Sequence, residues 1–241
     1  MSVCLTFDLD WAPDFVLEDL RQLLLPHHLP STVFCTHESP AVRALISAPE
    51  YETAIHPNFL VDRPPELVLS ESLARFPAKG VRNHVLYFHS RLLPLFHRQG
   101  IEYFSNDLLF LQPGLRPFFD WSGLLRLPIY WQDDVHCIYY RDQFRPELLH
   151  LGQPGLKVLN FHPIHVFLNT RNFNDYGAAK PDQNDPDRLR RHRNSGPGIR
   201  TLLCELLESG ALSESQQLGA VGTEFARENR YAGNYAEFLK Q

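Results

Sequence analysis

Hydrophobic and polar positions follow two alternating patterns along most of the chain. Short apolar runs, typical of buried parallel strands, are followed by segments whose apolar residues recur at helical spacing. The apolar runs predict strands at 2–7, 31–35, 51–55, near 80–82, 101–105, 124–131 and 156–161. The helical spacing predicts helices at 14–25, 41–47, 64–76, 91–100 and 198–208.

The first predicted helix, at 14–25, has sequence signals at both of its ends. Its apolar residues include Val16, Leu17 and Leu20, which fall on one face at helical spacing. Asp14 has the residue type of an N-cap, and Pro26 is the expected stop.

The regular alternation predicts one α/β domain over residues 1–241, built on a parallel sheet. About seven strands in a chain of this length favour a barrel-like closure of the sheet, with an open doubly wound sheet as the alternative. The stretch 169–197, rich in Asn, Asp, Pro and Gly, is expected to be a long loop insertion that serves as a lid, a substrate loop or a disordered insertion.

Composition and charge narrow the class of protein. A formal net charge of −5 argues against a nucleic-acid partner. No apolar run reaches the ~18 residues needed to span a bilayer, and the N-terminus has no basic segment typical of a secretory signal. The four cysteines are widely spaced, as expected for free thiols in a reducing compartment. A cytoplasmic location is therefore expected.

Residues suited to metal binding or acid–base chemistry follow the predicted strands in turn. Asp8 and Asp10 follow the first strand, and His56 follows the third. The later strand ends carry Arg82 with His84, Asp133 with Asp134, and His162 with His165. Because the carboxyl ends of parallel strands meet at one edge of the sheet, these side chains are expected to gather at one site.

This set of residue types supports hydrolytic chemistry. One carboxylate and two imidazoles form a three-ligand metal site with open positions. A second carboxylate can take a proton from water, and another histidine can protonate a leaving amine. In an Asp-x-Asp strand tip, alternate residues point to the same side, so Asp8 and Asp10 are expected to face one cavity.

The ordered series TFDLDW, HPNF, RNH, LPIYWQDD and NFHPIH resembles the motifs of the polysaccharide deacetylases, the family with a NodB homology domain (carbohydrate esterase family four). The resemblance spans residues 3–168 and implies a distorted barrel, a divalent metal and hydrolysis of N-acetyl or other C–N bonds. It implies catalytic roles for Asp8 as general base, His162 as general acid, Arg82 as the residue that orients the base, and Asp133 or Asp134 as the partner of the acid.

The same resemblance implies that Asp10 and His56 bind the metal. The first motif departs from the common form because its two acids are spaced rather than adjacent. The second motif departs too, because the family's earlier histidine is replaced by Glu52. His84 is the preferred third ligand, and Glu52 and His165 remain alternatives.

The expected function is metal-dependent removal of an acetyl group from an amino sugar or glycan precursor in surface polysaccharide or lipopolysaccharide biosynthesis. The alternatives are another C–N hydrolase, such as a deformylase or ring amidohydrolase, and an inactive barrel that binds glycan or protein. Zinc is the favoured metal, and iron, cobalt, nickel or manganese would also suit the ligands.

Overall fold

A computed structural model describes residues 2–140, 143–229 and 231 of the chain. Its strands are β1 (Ser2–Asp8), β2 (Ser31–Cys35), β3 (Tyr51–Ile55), β4 (Gly80–Val81), β5 (Tyr103–Phe104), β6 (Phe118–Phe119), β7 (Leu125–Arg126), β8 (Trp131–Gln132) and β9 (Leu156–Phe161). Its α-helices are α1 (Asp14–Leu24), α2 (Pro40–Ile46), α3 (Pro65–Arg75), α4 (Leu92–Arg98), α5 (Asp133–Tyr139), α6 (Pro163–Leu168), α7 (Phe173–Ala179), α8 (Pro186–Arg191), α9 (Ile199–Glu208) and α10 (Leu218–Glu228). Within the described ranges, no helix has the length and apolar character needed to cross a membrane.

The strands form one sheet in the order β6-β7-β5-β4-β3-β2-β1-β9-β8. Every pairing is parallel except the short β6–β7 ladder. The segment that contains β7 and β8 pairs with β5 at its start and with β9 at its end. This segment therefore links the two sides of the curled sheet, which gives the distorted barrel predicted from the sequence.

The two faces of the strands have different environments. On β1, Leu5 and Phe7 belong to the larger hydrophobic core beneath the helices, whereas Cys4 belongs to a smaller core inside the curl of the sheet. Thr6 and Asp8, on the same face as Cys4, hydrogen-bond to Asn160 of β9. The interior is therefore apolar in its middle and polar towards the carboxyl ends of the strands.

Helix α10 covers the opposite, amino-terminal end of the curled sheet. Its residues Leu218 and Val221 belong to the interior core. The Leu218 amide donates to Thr32 of β2, and the Gly219 amide donates to Glu52 of β3. Because the backbone amides of the first helical turn have no partner within the helix, these strand side chains satisfy them.

The structure confirms the α/β barrel, and each predicted strand overlaps at least one observed strand. Two shorter strands, β7 and β8, replace the single strand predicted over 124–131, and β6 and helices α5, α6 and α10 were not predicted. The prediction that Asp14 caps α1 is wrong: Pro13 is the N-cap and contributes no side-chain hydrogen bond, while Asp14 lies in the first turn.

The stretch 169–197 differs from the long loop expected there, because it contains α7 and α8. Asn172 and Asp185 cap the two helices through side-chain hydrogen bonds to backbone amides. The polar residue types that indicated a loop are therefore the caps of two short helices.

The hydrogen bonds of Glu52 generate a stability prediction. Its carboxylate accepts from the Thr32 hydroxyl, the Tyr103 hydroxyl and the Gly219 amide, which joins three strands and α10. We expect Glu52→Ala to lower the free energy of unfolding by about 2 kcal/mol, because buried donors lose a charged acceptor. Denaturant unfolding measures the change.

Glu102→Ala is the matched control. The Glu102 carboxylate is 63% exposed and pairs with the similarly exposed Lys79, so its loss should change stability by less than about 1 kcal/mol. Equal effects of the two substitutions would contradict the structural role of Glu52.

Candidate metal and catalytic site

The carboxyl ends of five strands meet at one small cavity. Asp8 and Asp10 come from β1 and the turn after it, and His56 follows β3. The cavity measures about 70 Å³ and is lined by Asp8, Asp10, His56, Val85, Leu86, Gln132, Asp134 and His162. Side chains separated by more than 150 positions in the sequence therefore share one site.

Asp10, His56 and His84 form the group best suited to a metal ion. Asp10 Oδ1 lies 3.1 Å from His56 Nε2 and 3.1 Å from His84 Nδ1. One ligand atom from each residue falls within 4.8 Å of the other two. Because a carboxylate and two imidazoles suit zinc and similar divalent ions, the donor set fits the metal that the sequence motifs imply.

The backbone that carries these ligands adopts unusual conformations. Asp10 and Trp11 have φ values of 43° and 53°, and Val85 and Leu86 have values of 50° and 53°. Residues other than glycine rarely adopt this left-handed region, and such strain concentrates at functional sites. Asp10 therefore faces the cavity through a tight turn after β1, not through the strand pleat that the Asp-x-Asp spacing suggested.

Asp8 is held from two sides by buried donors. Arg82 Nη1 donates to Asp8 Oδ1 and Asn160 Nδ2 donates to Asp8 Oδ2, each at 2.8 Å. Arg82 is fully buried, and it also donates to the backbone oxygen and the hydroxyl of Ser105. The Asp8 carboxylate is consequently fixed in position, and it forms a buried ion pair with Arg82.

His162 is oriented by Asp133. His162 Nδ1 lies 2.6 Å from Asp133 Oδ1, and the His162 backbone amide donates to Asp133 Oδ2 at 2.7 Å. The other ring nitrogen, Nε2, lies 3.7 Å from Asp10 Oδ2 and 4.0 Å from Asp8 Oδ2. Asp133, not its neighbour Asp134, is therefore the carboxylate that hydrogen-bonds the histidine, while Asp134 lines the cavity.

The charges of the site shift the pKa values of its groups in opposite directions. Burial alone would lower the pKa of His162, but the charge of Asp133 and its hydrogen bond hold that pKa well above the ordinary value. Burial alone would raise the pKa of Asp10, but hydrogen bonds from His56 and His84 hold that pKa well below its usual range. The site therefore favours a charged imidazolium beside ionised carboxylates.

The two alternative third ligands lie outside the Asp10 group. Glu52 is engaged with Thr32, Tyr103 and α10 at the other end of the sheet. His165 is buried, its Nδ1 lies 3.1 Å from the Thr170 hydroxyl oxygen, and burial lowers its pKa to about 4. His165 belongs to a second group with Asp133 and His162, but those two residues already hydrogen-bond each other.

Asn160 and Gln132 are polar residues of the site that the sequence reasoning missed. Asn160 is a fully buried amide in an otherwise mostly apolar strand, and it binds both Asp8 and Arg82. Its position two residues before His162 places it on the interior face. The sequence signal that could have identified Asn160 is a polar amide within a run that otherwise reads as a buried strand.

The chain is similar to a known protein family and to solved structures. The family model described as WbmS-like polysaccharide deacetylase matches residues 5–180. A search of curated proteins gives no match. The crystal structure of WbmS from Bordetella bronchiseptica, a proposed polysaccharide deacetylase involved in O-antigen biosynthesis, is 32% identical, with a TM-score of 0.80 over 86% of this chain and 90% of that one.

A second structure, a proposed polysaccharide deacetylase from Mycobacterium smegmatis, is 16% identical and has a TM-score of 0.58. It covers 94% of this chain and 90% of its own, and it supports the fold alone. The family match spans most of the chain and agrees with the resemblance seen in the sequence motifs. The chain therefore belongs to the WbmS-like polysaccharide deacetylase family.

Proposed function

We propose that the protein removes an acetyl group from the nitrogen of an amino sugar during surface polysaccharide or lipopolysaccharide biosynthesis. The observation that carries the proposal is the convergence of a fixed carboxylate, an oriented histidine and an Asp/His/His group on one cavity. WbmS is described as a protein involved in O-antigen biosynthesis, and the similarity of this chain to WbmS supports a role in surface polysaccharide biosynthesis.

Asp10, His56 and His84 would hold a divalent ion, with zinc favoured by the donor set. When bound there, such an ion supplies a Lewis acid that polarises the amide carbonyl and lowers the pKa of the attacking water. The cavity also contains Asp8 and His162. These two residues would take the proton from the attacking water and give a proton to the amide nitrogen.

Asp8 acts in this proposal as the general base. Its carboxylate takes a proton from the water as the water oxygen bonds to the amide carbon. Arg82 and Asn160 each donate a hydrogen bond to the carboxylate and so hold it at the cavity. Their contribution is to hold the base in place, so that little rearrangement accompanies attack.

His162 acts as the general acid. Its pKa is raised by Asp133, so the ring holds a proton at the start, and Nε2 points towards the cavity. That proton passes to the amide nitrogen as the C–N bond breaks, which releases the free amine and acetic acid, and the acid then ionises to acetate. One proton is taken by Asp8 and one is given by His162, so the step is balanced.

The cavity volume favours a small acyl group. A space of about 70 Å³ corresponds to roughly two water molecules, which suits an acetyl or formyl group. A panel of N-acetyl and N-formyl sugars, free, nucleotide-linked and lipid-linked, tests the proposal by release of acetate or formate. Absence of release from every member by metal-loaded protein would favour an inactive binding barrel.

We also propose a cytoplasmic location. The four cysteines are free thiols, and Cys4, Cys35 and Cys137 are buried. Unpaired thiols are typical of proteins from reducing compartments.

The role of Asp8 is tested by Asp8→Asn. We expect kcat to fall by at least about 100-fold because the general base is lost, while bound metal remains stoichiometric. Acetate release and elemental analysis measure the two quantities. Asp62→Asn, an exposed residue in a turn, should change neither, and retention of full activity by the Asp8 variant would refute the assignment.

The ligand set is tested by metal titration of histidine variants. We expect His84→Ala to weaken metal binding by more than the about 10–100-fold that loss of an outer-shell partner costs, because a direct ligand is removed. His165→Ala and the exposed His89→Ala should retain metal. Calorimetric titration of metal-free protein separates the cases, and loss of metal in the His165 variant alone would reverse the assignment.

The partner of the acid is tested at two adjacent aspartates. We expect Asp133→Asn to lower kcat by about 100-fold, because His162 loses the charge and hydrogen bond that keep it protonated and oriented. Asp134→Asn should have a smaller effect on kcat, since Asp134 lines the cavity without hydrogen-bonding His162. A larger loss at Asp134 would mean that the roles are exchanged.

A further inference from the structure

The turn after β1 holds Asp10 and Trp11 in a conformation that tryptophan rarely adopts. The Ala12 amide donates to the Leu9 carbonyl oxygen at 2.8 Å, and the two central residues have φ values of 43° and 53°. Positive φ at both central positions is characteristic of type I′ turns, which favour asparagine, aspartate and glycine. Asp10 suits its position, whereas the bulky Trp11 carries a conformational cost that no local preference explains.

A second turn of the same kind begins at His84. The Tyr87 amide donates to the His84 carbonyl oxygen at 3.2 Å, and the central residues Val85 and Leu86 have φ values of 50° and 53°. Valine is β-branched, and a β-branched residue at positive φ is a clear outlier. Val85 and Leu86 both line the reaction cavity, so the second strained turn forms part of its wall.

The strained turns also expose apolar side chains beside the cavity. Trp11 is 42% exposed and Val85 is 62% exposed. The Trp11 ring lies 5.0 Å from the His84 ring, centroid to centroid, and His84 directly precedes Val85. Each of the two exposed residues therefore combines backbone strain with apolar surface left in water, although burial of that surface would be favourable. Strain and apolar exposure that coincide beside a candidate active site indicate a surface kept for a ligand.

The substrate of the proposed function would bring a matching surface to this place. The cavity of about 70 Å³ holds an acyl group, so the sugar ring that carries this group lies outside, at the mouth that Val85 helps to form. A pyranose ring directs its hydroxyl groups outward around its edge and leaves patches of C–H groups on its faces. An indole ring offers a large, rigid, apolar surface against which such a face can pack.

We propose that the pyranose ring of the substrate packs its C–H face against Trp11 and the adjoining Val85 while the N-acyl group occupies the cavity. This inference rests on the proposed function for its choice of ligand. It adds that an apolar wall recognises the ring next to the acyl group, so that affinity depends on the ring and not only on the amide.

The test compares probes with and without a ring on the zinc-loaded full chain. Methyl 2-acetamido-2-deoxyglucopyranoside and its galacto epimer carry the ring, and N-methylacetamide supplies the amide alone. NMR titrations give Kd for each probe, and KM replaces Kd for any sugar that is hydrolysed. The variants are Trp11→Gly, Trp11→Phe and Val85→Asn. Trp121→Gly is the matched control, because Trp121 is 60% exposed in the turn between β6 and β7.

We expect Trp11→Gly to weaken binding of the tighter-binding sugar by about 10-fold and to change the Kd of N-methylacetamide by less than about 3-fold. Trp11→Phe should retain most of the sugar affinity because it keeps an aromatic face, and Val85→Asn should weaken sugar binding by at least about 3-fold. Glycine and asparagine suit positive φ, so the thermal unfolding midpoints should fall by less than about 4 °C. The Trp121 variant should match the unmodified protein.

Unchanged sugar binding in the Trp11→Gly variant, or unmodified protein that binds neither sugar more tightly than N-methylacetamide, would overturn the proposal. Equal losses for the sugars and N-methylacetamide, or a larger fall in the unfolding midpoint, would show that the indole supports the cavity structurally instead. Full sugar affinity in the Val85→Asn variant would exclude Val85 from the surface. Ring-dependent binding that Trp11→Gly abolishes, without acetate release from any N-acetyl sugar, would refute the proposed function and leave the sugar-binding surface standing.

Discussion

The buried contact between Arg82 and Asp8 is the interaction on which the site depends. The Arg82 guanidinium is fully inaccessible to solvent and lies 4.0 Å from the centre of the Phe34 ring. Taking such a cation out of water is costly unless every donor is satisfied. Its donors reach Asp8 and Thr6 of β1 and Ser105 just after β5, so one side chain joins opposite sides of the curled sheet. Removal of one member of a buried pair costs about 3–5 kcal/mol, so Asp8 contributes to the stability of the fold as well as to the candidate site.

The two ends of the barrel use polar residues for different purposes. At the carboxyl end, Asp8, Arg82 and Asn160 leave a cavity open to a ligand. At the amino end, Glu52 satisfies strand hydroxyls and the first turn of α10, and its side chain is engaged by those groups. Both sets stand on the interior face of the strands, with the apolar core of Cys4 and its neighbours between them. Asp8 lines the cavity because it lies at the carboxyl end of its strand, whereas Glu52 is engaged in structural hydrogen bonds because it lies near the amino end of the curled sheet.

The sequence predicted most of the sheet and the grouping of the candidate site because both follow from periodicity. Apolar runs indicate buried strands, and parallel strands place the residues that follow them at one edge. Glu52 lies on the same face as His56 but four residues earlier, which at about 3.3 Å per residue is roughly 13 Å deeper. That distance explains why the earlier motif position is a structural acid in this chain.

Other features depend on contacts that no local pattern encodes. The left-handed turn at Asp10 and Trp11 is accompanied by a tertiary contact, in which the Trp11 amide donates to the Thr36 hydroxyl. Asp tolerates such φ values better than most residues, but Trp does not. The sequence did not predict α10, because its glycines and small residues weaken the helical pattern of apolar positions. These features require the assembled sheet, so they follow from the fold and not from any short segment.

The place of β1 in the sheet also has a consequence for biosynthesis. One of its two neighbours, β9, begins at Leu156, opposite Ser2. At about 5–20 residues per second, the ribosome needs roughly 8–30 s to make the intervening 150 or so residues. During that interval one edge of β1 and apolar side chains on its outer face lack their final partners. The first strand therefore cannot complete its pairing in the sheet until the chain has been made as far as β9.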